Sequence, residues 1–129
     1  MSSNRSPARS ERGQATAELA LVLPVFVIAV LLVVQAGILV RGQILVTHAA
    51  REGARAAALD DDTSAVEQAV RRATPLDPGR LAIRIRGRGK PGSRVTVEVT
   101  YSPPTPVPLL RSIVRHVTLR GEATMRVER

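Results

Sequence analysis

The chain has 129 residues, a formal charge of +8 and no cysteine, which rules out a fold stapled by disulfides and leaves its redox compartment open. Its aromatic residues are Phe26 and Tyr101 alone, so any core must rest on aliphatic packing. The average of 44% hydrophobic and 23% charged residues resembles a soluble domain, but that average hides a strong segregation along the chain.

Up to Gly13 the chain is polar and basic. Leu19 to Val40 then forms an almost unbroken apolar run, interrupted by Pro24, Gln35 and Gly37 and entered directly after Glu18. As a helix rising ~1.5 Å per residue it measures roughly 33 Å, close to the ~30 Å hydrocarbon thickness of a bilayer. The run exceeds the roughly 7 to 15 residue core of a removable secretory signal and continues into Arg41-Gly42-Gln43, so a permanent single-pass anchor is expected. Arg5, Arg9 and Arg12 before the run are matched by Arg41, Arg51 and Arg55 after it. Charge counting therefore gives no orientation, whereas a short polar tail before a first span favours a cytoplasmic amino end.

Gln43 to Leu59 is rich in alanine and arginine, and the spacing predicts that the membrane helix continues through it. Ala49, Gly53 and Ala57 recur every four residues and make one face small enough for a close helix-packing contact. Two occupants fit that face: the chain's own sheet, or another subunit. Asp60, Asp61 and Asp62 end the helix and offer caps for a second, expected over Ser64 to Ala73 with Val66, Ala69 and Val70 inward. These aspartates lack the alternating ligands, turn glycine and distal glutamate of a calcium loop and read as a solvated capping turn.

Pro75, Pro78 and Gly79 form a connector. Leu81, Ile83 and Ile85 alternate with Ala82, Arg84 and Arg86 as a strand; after a turn at 87–93, Val95, Val97 and Val99 alternate with Thr96, Glu98 and Thr100 as its hairpin partner. Arg84, Arg86 and Glu98 are expected on one wet face. Pro103, Pro104, Pro106 and Pro108 predict a stiff extended crossing, and Leu109 to Val114 one short helical turn. Val117, Leu119, Ala123, Met125 and Val127 predict a last strand, broken or bulged at Gly121. The expected fold class is α+β: a long N-terminal helix whose first part spans the membrane, a short second helix and a small C-terminal antiparallel sheet. The organisation expected is a tail over 1–13, a membrane helix over 14–42 and one small domain over 43–129.

The search for chemistry gives no catalytic, cofactor-binding or metal site. His48 and His116 are the only histidines, and the chain has no nucleophile elbow and no glycine-rich phosphate loop before a helix. His48 and Glu52 stand four apart and read as a local pair. The positive charge reflects arginine usage, with Lys90 the one lysine, and no aromatic platform interleaves Arg84, Arg86, Arg88, Lys90 and Arg94. No nucleic acid and no small-molecule substrate is expected. Glu18 either sits at the membrane interface or pairs with a cation from outside its own helix, because a lone carboxylate below the headgroups is costly. Pro24 removes one helical hydrogen bond; it either loosens the first turns of the span or is simply tolerated there.

Gly13-Gln14-Ala15-Thr16-Ala17-Glu18 before an aliphatic span resembles the class III signal of type IV pilins and pseudopilins. Together with Thr47-His48-Ala49-Ala50-Arg51-Glu52-Gly53-Ala54-Arg55 beyond the span, the string from Glu11 to Ala20 resembles the TadE-like proteins, minor pilins or pseudopilins of tight-adherence (Flp) pilus assembly. The departure is Leu19, where characterised tight-adherence pilins favour tyrosine. The resemblance implies a pilin-like fold and cleavage by a prepilin peptidase between Gly13 and Gln14. It further implies that Glu18 meets the new ammonium group of a neighbouring subunit. The partners it implies are the lipid bilayer, the peptidase, other pilins and pilus-assembly membrane proteins. The implied location is the inner membrane with the C-terminal domain outside the cytoplasm. A single-pass accessory protein of an envelope or secretion complex is the alternative, and a membrane-tethered nucleic-acid binder a remote third.

Overall fold

The computed structural model describes residues 8–104, 112 and 117–128. Its elements are α1 (Ala8–Leu59), α2 (Thr63–Arg72), a 3-10 turn (Pro78–Arg80), β1 (Leu81–Arg86), β2 (Arg94–Tyr101) and β3 (Leu119–Arg126). The class is α+β, as expected: a long N-terminal helix, a short second helix and a three-stranded antiparallel sheet in the order β1-β2-β3. The chain divides between Gly37 and Ile38 into two compact units.

In the first unit α1 continues through Pro24 without interruption. Its side chains between Glu11 and Val30 are all exposed, the apolar ones included.

The second unit is built from two periodicities. Along β1, Leu81, Ile83 and Ile85 turn half-buried while Ala82, Arg84 and Arg86 face out. Along β2, Val95, Val97, Val99 and Tyr101 are buried on the same side. Against them lie Val46, Ala49, Ala50, Ala54, Ala57 and Ala58 of α1 and Val66 and Val70 of α2, forming a helix layer over a sheet. Alanines on the helix bring its backbone close to the sheet, which is how a core almost without aromatic residues reaches close packing.

Ala69, expected inside, is half-buried beside Val66 and Val70. The cap of α2 is Asp62, whose Oδ1 accepts the Ser64 N–H at 2.9 Å; the Asp60 carboxylate accepts the Asp62 N–H at 3.0 Å. The first two breaks in the chain thus follow from ordinary capping chemistry, as do the Asp77 cap and Pro78 that open the 3-10 turn.

The expected break at Gly121 is absent. The β2–β3 register runs without interruption from Arg94↔Arg126 to Tyr101↔Leu119, with Gly121 opposite Val99. A Cβ on Gly121 would lie 2.7 Å from Val46 O and 2.9 Å from Thr47 Cα, so the glycine exists to let the helix backbone touch the strand. Pro106, Pro108 and most of the turn expected over Leu109 to Val114 fall outside the described residues.

Candidate functional site

Gly13, Gln14 and Glu18 lie in the first turns of α1 and are fully accessible. A side chain at Gly13 would meet nothing within 4 Å. Gln14 Nε2 donates to Glu18 Oε1 at 3.4 Å, and Thr16 Oγ1 donates back to Arg12 O at 2.9 Å. Among the described residues no cation pairs with Glu18; its contact is a long bond to a neutral amide. Directly after it, Leu21 is 77% and Val33 73% exposed, and most large apolar side chains between Leu19 and Val40 are exposed as well. A continuous apolar surface of this extent is not left to water in a soluble protein. The helix is long and apolar enough to cross a membrane, and the window that makes it so is not buried by the rest of the chain.

The small-residue face of α1 has a different setting. Ala49, Gly53 and Ala57 are all buried within the second unit. A Cβ on Gly53 would lie 2.6 Å from Val70 Cγ2 and 3.0 Å from Val97 Cγ1, placing α2 and β2 directly over it. Of the two occupants left open by the sequence, the structure puts the chain's own sheet and second helix there. Gly42 adds a further close approach, with Leu119 Cδ1 at 2.6 Å from its would-be Cβ.

On the outer sheet face two of the arginines converge on one carboxylate. Glu98 is only 6% exposed and takes two cations, Arg86 from β1 and Arg120 from β3, the latter at 2.7 Å; Arg120 also reaches Glu122 at 3.1 Å. The wet face expected for Glu98 is therefore corrected: flanking arginine stems shield the carboxylate while their own side chains stay about half exposed. Arg84, directly opposite Glu98 in register, is not one of the pair. Arg88 instead donates to Asp61 O at 2.8 Å. Sequence reasoning missed this network because the contacts run diagonally across three strands, and the third strand's register was not known.

His48 is exposed, and no hydrogen bond or ion pair joins it to Glu52 among the described residues. His116 lies outside those residues. The three aspartates act as turn and cap acceptors, and the Asp62 carboxyl is held below its ordinary range, first by the Ser64 hydroxyl, then by the Ser64 N–H and by Arg88. No group of three or more potential metal ligands occurs among the described residues.

Comparison with known proteins matches residues 13–55 to the family model described as TadE-like protein. The comparison with curated proteins gave no match, and neither did that with solved structures. The match begins at Gly13 itself, covers Gln14, Glu18 and the whole apolar run, and ends at Arg55 within the part of α1 that packs on the sheet. From its glycine junction to the packed end of its long helix, residues 13–55, the chain is similar to the TadE-like proteins.

Proposed function

We propose that the protein is a membrane-anchored minor pilin or pseudopilin that takes part in assembling a tight-adherence (Flp) pilus and acts by helix packing, without catalysis. The observation that carries the reading is the TadE-like match that starts at Gly13 and runs through the exposed apolar helix. In this reading 1–13 is a cytoplasmic leader, 14–42 the membrane helix and 43–129 an extracytoplasmic domain. A prepilin peptidase cuts between Gly13 and Gln14. The bond lies inside helical backbone, so the peptidase must unwind the first turns of α1, where glycine lowers the cost by roughly 1 kcal/mol relative to alanine.

The cut would release an ammonium group at Gln14. Glu18, with no cation beside it among the described residues, supplies the complementary charge to a neighbouring subunit's terminus. Exclusion of water strengthens that attraction, and it must offset the desolvation of both groups.

Mass spectrometry of the protein from cells that carry the peptidase tests the reading: a chain beginning at Gln14 is expected. Glu18→Ala should lower pilus assembly while leaving membrane insertion intact. An intact tail and unchanged assembly would instead favour an accessory protein that never enters a filament.

A further inference from the structure

The outer face of the sheet holds two like-charged pairs in direct cross-strand register, and only one of them is compensated. Glu98 stands opposite Glu122, but Arg120 hydrogen-bonds both carboxylates and Arg86 adds a second cation. Arg94 stands opposite Arg126, and among the described residues neither guanidinium has a hydrogen bond or an ion pair. Like charges placed directly opposite destabilise a sheet, so this second pair is a site short of an anion.

Its surroundings include the 87–93 turn. Gly92, Arg94, Thr124, Met125 and Arg126 line a cleft of about 530 Å³. Gly92, at φ 88°, donates to Val127 O at 2.9 Å, and Val127 N donates to Ser93 O at 2.8 Å, which ties the turn to the end of β3. The Arg126 guanidinium lies over that turn, 3.5 Å from the position of a Gly92 Cβ. A guanidinium group binds a carboxylate through two parallel N–H bonds, so a cleft lined by two arginines suits an acidic partner.

The cleft lies at the Leu59 end of α1, because Glu128 N donates to Ala58 O at 3.1 Å just after β3. That level is ~28 Å along the helix beyond Val40, at ~1.5 Å per residue. The acidic turn Asp60-Asp61-Asp62 follows Leu59 and so stands at the same level, with Asp60 and Asp62 exposed; it belongs to the helix layer, whereas the arginines occupy the opposite, outer face of the sheet.

We propose that the Arg94–Arg126 cleft receives the acidic turn at residues 60–62 of a second copy of this chain. The proposal rests on the reading of α1 as a membrane anchor, since two copies inserted in the same sense bring one copy's acidic turn level with its neighbour's cleft. The contact joins different faces of the two copies, and a contact of that kind propagates into a ring or an open filament rather than closing as a dimer.

The chain's lack of cysteine makes the test clean. Two tagged full-length forms are expressed together in their native membrane, one with Thr63→Cys beside the acidic turn and one with Thr124→Cys in the cleft. Mild oxidation should give a mixed disulfide, and Ala82→Cys, at the far end of the same sheet face, should give little when it replaces Thr124→Cys. Adding Arg126→Glu to the Thr124→Cys form should lower the yield by up to about fivefold, the upper end of the range for losing one exposed ion pair. Salt at about 1 M, where the screening length is ~3 Å, should do the same with no charge substitution. A yield no higher than the Ala82→Cys control, or one indifferent to both Arg126→Glu and salt, would overturn the proposal. Carbonate extraction of the same membranes reports anchoring separately: a chain that washes off defeats the anchor reading, while an anchored chain without the disulfide defeats the contact alone.

Discussion

A methyl group on Gly121 has no space to enter, because the atoms it would meet at 2.7 to 2.9 Å are backbone atoms of Val46 and Thr47 that cannot rotate away. Gly121→Ala must push α1 off the sheet, and a cost of about 2–3 kcal/mol is expected from thermal or denaturant unfolding. Gly37→Ala is the control: its methyl meets nothing within 4 Å, and a helix interior gains up to ~1 kcal/mol from the change. Gly42 and Gly53 are intermediate, since the atoms they would strike belong to side chains of Leu119, Val70 and Val97. Glu98 illustrates the other extreme of residue-scale constraint. It is a buried carboxylate whose desolvation is offset by two arginines that remain about half in water, so the network adds little net stability.

At the scale of elements, α2 depends on its first turn. Only ten residues long, it cannot persist by propensity and relies on Val66, Val70 and the Asp62 cap. The Asp62 carboxyl is held below its ordinary range in the folded chain, chiefly by the Ser64 hydroxyl and N–H. A lowered folded value means that the stabilisation is fully present above the unfolded carboxylate range and is lost as pH falls through the folded value. The protection of the Ser64 and Ala65 amides, measured as exchange relative to an unstructured chain at the same pH, should therefore fall several-fold in acid in the natural chain. In Asp62→Ala that protection should already be low at neutral pH, and Asp62→Asn, an uncharged cap, should keep most of it with little change between neutral and acid pH. The last strand shows how much of an element is legible locally. Leu119, Gly121, Ala123, Met125 and Val127 share one parity, so the alternation is continuous; reading the glycine as a break gave local flexibility precedence over that parity.

At the scale of the whole molecule, the buried cluster from Val46 to Val127 lies entirely within 38–129, while the exposed apolar surface is concentrated before it. A fragment from Ile38 to Arg129 is therefore expected to fold without the apolar run. Because the fragment is small and its core is aliphatic, its stability should fall near the lower end of the ~5–15 kcal/mol range. Circular dichroism and urea unfolding of that fragment check this; an unfolded fragment would show that the first unit supplies part of the stability.

The long apolar helix, the order of helices and strands, the aspartate cap before α2 and the inward residues of β1 and β2 were set by the sequence itself, because hydrophobic periodicity and capping act over a few residues and can be read without knowing the neighbours. The Gly13 to Glu18 junction was legible for a different reason, as a string of residues tied to a span. Only the tertiary structure decided that Ala49, Gly53 and Ala57 are spent on the chain's own core, that Gly121 admits a helix backbone, that Glu98 is shared by two arginines and that Arg94 and Arg126 stand opposite each other. Each of those depends on which distant residues meet across the sheet, and contacts of that range are fixed by register and packing rather than by local pattern.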